Sequence, residues 1–287
     1  MTFNDNARSG GGRVSKRGRN TGFAVGGGGI GLIAILLISQ AFGVDLSGLL
    51  GGGTAGTTAS DTTLANCETG ADANANLECR IDFAAQSLDA YWEGQLGTDY
   101  APPPLVLFEE ATSTGCGNAT SAVGPFYCPT DQTVYLDTGF YEELRTRFNT
   151  DAGPLAQMYV IAHEFGHHIQ NLQGTMNSIE RGDTGPTSDA VRLELQADCF
   201  AGAWAGEAST VPDESGTPFL EPITREQLAD ALDAASAIGD DRIQESTQGQ
   251  VNPEAWTHGS SEQRQQWFET GYEQGAAGCD TFAAGAL

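Results

Sequence analysis

Basic side chains are scarce in this chain. Thirteen Lys and Arg stand against 38 Asp and Glu in 287 residues, for a formal charge of −25 and a pI near 4.2. A surface of that sign repels phosphate backbones, so nucleic acid is not an expected partner. No Cys-x-x-Cys pair occurs, which removes a cysteine-built zinc site and a thioredoxin-type redox motif from consideration. There is no internal repeat, and the apolar share, 39%, is modest. It is large enough for one core once the Gly-rich stretches are set aside. Histidine occurs only four times, and three of the four fall at positions 163, 167 and 168.

The charge that is present is unevenly placed. Residues 1–21 carry Arg8, Arg13, Lys16, Arg17 and Arg19 against Asp5 alone, whereas the remainder is strongly acidic. Between them lies an uncharged stretch, residues 22–44, with IGLIAILLISQAF at its heart. At 1.5 Å per residue a helix of this length spans a hydrocarbon core of roughly 30 Å. Basic residues on its N-terminal side predict a cytoplasmic N-terminus and an extracytoplasmic remainder at the cell membrane. A cleaved signal peptide and a buried globular helix are the competing readings. The uncleaved single-pass anchor is preferred, because the stretch is long and lacks a clear A-x-A cleavage cue.

All six cysteines lie beyond this stretch, as expected for an exported domain with disulfides. Local spacing suggests Cys67–Cys79 and Cys116–Cys128, leaving Cys199–Cys279 as a long-range staple. The organisation expected is a basic tail (1–21), an anchor (22–44), a flexible Gly/Thr linker (45–66) and a domain over 67–287.

Within that domain, apolar spacing at Ile81, Ala84, Ala85, Leu88 and Trp92 predicts a helix over 78–96. Short strands are expected at 105–110, 124–128 and 133–137. Asp151 and Pro154 open a long helix that closes near Gly174. Further helices are expected from Thr187 or Ser188 to Glu207, from Thr224 with a Thr-x-x-Gln capping box, and from Ser260 or Ser261 to Gly275. Short strands followed by several helices indicate an α+β fold.

The chemistry concentrates in His163-Glu164-Phe165-Gly166-His167, an HExxH pattern inside the long helix. Histidines at i and i+4 share a helical face, so both rings can bind one Zn²⁺. Glu164, turned about 100° around the helix, lies beside such a metal without ligating it. A polar helical stripe would produce the same five letters. A third protein ligand is required, since a catalytic zinc takes three and keeps one position open. The metzincin extension would need a glycine three residues after the second histidine and a further histidine three residues after that. Those positions hold Gln170 and Gln173 here, so that arrangement is excluded. The next helix offers Glu194 and Asp198, one turn apart. They are suited to a carboxylate ligand and to a carboxylate that orients a ligating histidine through its other N–H. In so acidic a chain an ordinary exposed helical face would also carry such a pair.

The segments HEFGHHIQ, RLELQADCFAGAWA and WTHGSSEQRQQWFETGYEQG together resemble the bacterial neutral zinc metallopeptidase family. Glu-x-x-Ala-Asp after HExxH also resembles the membrane gluzincins. The resemblance covers essentially the whole chain. It implies a zincin-like fold with a small sheet and HExxH on a central helix, behind one N-terminal transmembrane helix. It further implies His163, His167 and Glu194 as zinc ligands, Glu164 as the base, and a peptide or protein substrate.

His258 precedes the last helix. It is a candidate donor to the oxyanion of a tetrahedral intermediate, with a helix-capping role as the alternative. His168 is expected to face the neighbouring helix or a carboxylate rather than the metal, because adjacent side chains diverge around a helix. In this class of fold the substrate backbone commonly pairs with an edge strand, and Thr133–Asp137 is the expected edge. An envelope zinc amidase and a non-catalytic zinc-binding protein remain as alternative functions.

Overall fold

The computed structural model describes residues 2–17, 62–64, 66–147, 150–180, 182–283, 285 and 287. In chain order its strands are β1 (Val14–Lys16), β2 (Thr62–Thr63), β3 (Leu105–Phe108), β4 (Ala111–Thr114), β5 (Gly117–Thr120), β6 (Phe126–Cys128) and β7 (Thr133–Asp137). Its helices are α1 (Gly70–Ala75), α2 (Leu77–Leu96), α3 (Phe140–Arg147), α4 (Pro154–Gln173), α5 (Asp189–Glu207), α6 (Arg225–Ala237), α7 (Asp240–Gln248) and α8 (Ser261–Gln274). This is an α+β arrangement with a small mixed sheet, as the sequence predicts.

α4 is the centre of the fold. Pro154 sits in its first turn, and Gly174 ends it in the left-handed conformation (φ 79°, ψ 4°), its N–H donating to the carbonyls of Gln170 and Asn171. Every residue from Leu155 to Gln170 is buried, so the helix is enclosed by neighbours rather than half-exposed. α2, α5 and α6 pack around it. Leu88, Trp92, Leu107, Leu136, Met158 and Phe165 all belong to the main apolar core.

Two close approaches fix α5 in place. A Cβ on Gly166 would stand 2.8 Å from Ala197 Cα, so only glycine lets α5 come this near α4. On the other side of α5, a Cβ on Gly271 of α8 would overlap the Cys199 carbonyl at 1.9 Å. α5 is therefore clamped between α4 and α8 with main chain against main chain.

The sheet order is β2-β1-β3-β7-β6, with β1, β3 and β7 parallel and β6 antiparallel to β7. β7 is thus an interior strand, and β6 forms the edge where Thr133–Asp137 was expected. The order in which strands lie side by side is set by tertiary packing, and no local pattern in β7 reveals it. β4 and β5 form a separate hairpin. The three disulfides are Cys67–Cys79, Cys116–Cys128 and Cys199–Cys279, the pairing that the spacing suggests.

Residues 2–17 overturn the predicted topology. Val14, Ser15 and Lys16 pair in register with Leu105, Val106 and Leu107. Phe3 is buried edge-on against Phe83. The Asp82 carboxylate accepts the backbone N–H groups of Arg13 and Val14. Arg13 pairs with Asp89, and Lys16 with Glu78 at 2.7 Å. Two of the basic side chains read as orienting a membrane span, Arg13 and Lys16, are thus held by acids of α2. Strands hydrogen-bonded in one sheet lie on one side of any bilayer, so these residues are not a cytoplasmic tail behind an extracytoplasmic domain. Among the described residues no helix is long and apolar enough to cross a membrane. The predicted transmembrane helix, residues 22–44, and most of the linker expected over 45–66 lie outside the described residues. The single-pass anchor, with the cell-membrane localisation drawn from it, is therefore corrected.

Candidate metal centre

α4 and α5 bring the three candidate ligands to one point. His163 and His167 stack one turn apart, with ring centroids 4.7 Å apart and planes nearly perpendicular. Glu194 reaches across from α5. Its Oε2 is 3.3 Å from His163 Nε2, and its Oε1 is 3.5 Å from His167 Nε2. The ligand atoms of these three buried residues all lie within 4.8 Å of one another. Two neutral imidazoles and one carboxylate are the donor set that a catalytic zinc takes. Both outward Nδ1 atoms are engaged elsewhere, so both Nε2 atoms face the shared point. The residues fit a divalent metal.

Behind His163, Nδ1 lies 2.8 Å from Asp198 Oδ1. Asp198 is completely buried and receives the Arg264 guanidinium in fork geometry, Nε to Oδ2 at 2.8 Å and Nη2 to Oδ1 at 2.9 Å. The Tyr159 hydroxyl also donates to Asp198 Oδ1. Burial raises the cost of the Asp198 charge, but Arg264 and His163 outweigh it and hold the carboxyl below its ordinary range. His167 has no carboxylate behind it. Its Nδ1 faces Gln170 Oε1 at 2.9 Å.

The electrostatics favour a cation at the shared point. Burial works against a charged His163, yet Asp198 and Glu194 raise its basicity to about 10. Burial lowers His167 to about 4, with Glu194 opposing. Burial penalises ionised Glu194 too, but His167, His163 and His258 hold it well below the usual carboxylate range. Glu164 moves the other way. Burial, with Glu194 adding, pushes it up to about 7, while His163 and the Tyr127 backbone N–H that it accepts pull it down. The two neighbouring carboxylates are thus tuned apart, Glu194 held anionic and Glu164 the more basic of the two.

His258 is buried on the same site, close enough to influence Glu194. Its Nδ1 lies 3.2 Å from Asp240 Oδ1. The other Asp240 oxygen accepts the backbone N–H groups of Thr257, His258 and Gly259 at 2.6–3.1 Å, so one carboxylate fixes the whole turn. Burial lowers His258, and Asp240 more than restores it, for a net raised value. Its backbone precedes the cap, and Ser260 is the residue that caps α8.

His168 points away from the metal position. Its Nδ1 takes the Tyr127 hydroxyl at 3.0 Å, and its Nε2–H donates to the Ala101 carbonyl at 2.6 Å. It thereby pins the edge strand β6 beside Glu164.

Five residues that sequence reasoning passed over take part: Tyr127, Tyr159, Gln170, Asp240 and Arg264. Arg264 had a readable signal. It lies in helical register with buried Trp267, Phe268 and Gly271, a charge on an apolar stripe, which demands a partner. Asp240 and Tyr127 had none, since their roles depend on main-chain groups distant in sequence.

A family model described as "Putative neutral zinc metallopeptidase" matches residues 2–282. The chain is 52% identical over 226 residues to the uncharacterized protein Rv2575 of Mycobacterium tuberculosis (strain ATCC 25618 / H37Rv), covering 78% of this chain and 77% of that protein. It is 39% identical over 263 residues to the uncharacterized protein YpfJ of Escherichia coli (strain K12), covering 90% of this chain and 87% of the relative. No solved structure matches the chain.

Proposed function

The chain belongs to the neutral zinc metallopeptidase family, and from that premise we propose that it hydrolyses peptide bonds at the centre formed by His163, His167, Glu194 and Glu164. The observation that carries the reading is the convergence of two Nε2 atoms and one carboxylate, with a second, differently tuned carboxylate next to them on the same helix. His163, His167 and Glu194 would hold the zinc. When bound, the metal supplies Lewis acidity that polarises a scissile carbonyl and acidifies a water molecule.

Glu164 accepts the proton of the attacking water and hands it to the leaving amine. Its basicity, about 7, suits both directions of that transfer near neutral pH. Asp198, held by Arg264, orients His163 through the Nδ1–H bond. With Nδ1–H of His258 given to Asp240, it is the charged imidazolium, which Asp240 favours, that presents Nε2–H as donor to the oxyanion developing on the substrate. The substrate is a peptide or protein chain. β6 is the edge strand closest to this chemistry, since its Tyr127 N–H is already directed at Glu164.

The decisive variant is Glu164→Gln, which removes the base and leaves the three ligands. It is expected to bind one equivalent of zinc while hydrolysis of a protein substrate falls by about 10²–10⁴-fold, the usual size of a general-base contribution. Wild-type turnover in this variant would refute Glu164 as the base. Zinc binding without chelator-sensitive hydrolysis in the wild type would favour a non-catalytic metal-binding protein instead.

A further inference from the structure

The two histidines of the metal centre are supported in chemically different ways, and the difference continues into the interior. Gln170 stands one turn beyond His167 on α4 and is fully buried. Its Nε2 donates to the backbone carbonyl of Leu193 at 2.6 Å and to Oε1 of Gln196 at 3.2 Å. Gln196, also buried, donates through Nε2 to the backbone carbonyl of Cys279 at 2.9 Å. Cys279 is joined by a disulfide to Cys199 on α5.

Each link in this series has only one possible polarity. A backbone carbonyl accepts and never donates, so Cys279 forces Gln196 to turn its NH₂ outward and its Oε1 towards Gln170. That oxygen and the Leu193 carbonyl are two acceptors on one side of Gln170, which forces its NH₂ towards them. Gln170 Oε1 is then left facing His167 Nδ1. An acceptor there requires a proton on Nδ1. A neutral imidazole protonated on Nδ1 keeps its lone pair on Nε2, the nitrogen turned to Glu194 and the metal position.

We propose that the Cys279 carbonyl, Gln196 and Gln170 form an amide relay that fixes the tautomer and ring orientation of His167 for metal binding. Gln170 and Gln196 are positioning residues, and the Cys199–Cys279 disulfide anchors the far end of the relay. The two ligands are thus held by unlike means: His163 by an anion clamped to Arg264, His167 by a neutral series ending on main chain. The neutral support adds no second negative charge at the centre, where Glu194, Glu164 and Asp198 already lie together. The inference rests on the metal-centre reading above, which the experiment checks separately.

The test uses the full chain labelled with ¹⁵N-histidine. In the zinc-loaded wild type, long-range ¹H–¹⁵N correlation is expected to show His167 protonated at Nδ1, with that proton in slow exchange with water. Gln170→Met and Gln196→Met keep an unbranched side chain of similar length and remove the relay. Both are expected to speed exchange of the His167 Nδ1 proton while leaving that of His163 unchanged. Zinc affinity, read by chelator competition, should fall by about 10- to 100-fold in Gln170→Met, the usual cost of losing a partner behind a ligand. The fall should be smaller in Gln196→Met, where the Leu193 carbonyl still orients Gln170.

His167 protonated at Nε2 in the wild type, which requires no variant to fold, would overturn the relay. So would folded variants with unchanged affinity and exchange. A wild type that binds no zinc refutes the metal-centre reading instead, and the tautomer in the zinc-free protein then still decides the relay.

Discussion

Replacing Gly166 by alanine tests whether main-chain contact between α4 and α5 sets the geometry of the metal centre. The new Cβ would meet Ala197 Cα at 2.8 Å, Ala197 O at 2.9 Å and Ala197 Cβ at 3.1 Å. Ordinary contact begins near 3.4 Å, so the helices must part by about 0.6 Å. Ala197 lies between Glu194 and Asp198, and the displacement carries both away from the histidines. Metal-ligand distances tolerate only about 0.2 Å. Zinc affinity should therefore fall at least tenfold.

Stability combines two opposing effects. Overpacking costs about 1–3 kcal/mol, and alanine gains about 1 kcal/mol over glycine in a helix. The net is a loss of up to about 2 kcal/mol, seen as a fall of a few degrees in Tm. Gly94, exposed on α2 with open space where its Cβ would stand, is the matched control. Gly94→Ala keeps the helical gain without the clash, so its Tm should rise and its zinc affinity stay constant. Chelator competition and thermal unfolding of both variants decide the matter. If Gly166→Ala gained stability like Gly94→Ala and bound zinc as tightly as the wild type, the argument from close approach would be wrong.

Zinc affinity should depend on pH, because His163 must lose the Nε2 proton that Asp198 and Glu194 stabilise up to about 10. Apparent affinity is expected to rise by up to about tenfold per pH unit as pH approaches about 10 from below; a flat profile in chelator competition would contradict the charge assignment. The same folded-state basicity lies above the unfolded value of 6.5, so it stabilises the metal-free protein below that pH. This contribution is lost as pH rises through about 10, which unfolding of the zinc-free protein at several pH values will show. Arg264→Met strips the fully buried Asp198 of its two-point partner and should cost about 3–5 kcal/mol in denaturant unfolding. Arg264→Lys should recover only part of this, since an ammonium cannot reproduce the fork.

The candidate metal cluster was legible in the sequence to the extent that it is helical. His163 and His167 are tied by the period of α4, and Glu194 and Asp198 by that of α5. Capping boxes at Thr224 and Ser260 likewise mark helix starts from a few adjacent letters. The parts that escaped are held by distant partners. β1 is three residues, VSK, in a Gly-rich basic context. It is a strand because Leu105–Leu107 and the Asp82 carboxylate complete its hydrogen bonds. Arg13 and Lys16 were read as part of a topology signal, and their ion-pair partners on α2 lie more than sixty residues away. Gln170 served in the sequence only to exclude a histidine pattern. Its place behind His167 depends on Leu193, Gln196 and Cys279, which no spacing rule connects.

The placement of β1 also bears on the order of events at the ribosome. Backbone N–H groups of Thr2 and Phe3 await Asn74, that of Arg8 awaits Asp213, and the Thr2 hydroxyl meets Gln227, 225 positions later. At roughly 5–20 residues per second, the last of these partners emerges about 10–45 s after Thr2. Until β3 follows, about 90 residues behind β1, the segment around β1 has few of its native contacts, and the parallel pairing of β1 with β3 must close a long loop. A piece that synthesis delivers early is one that folding completes late.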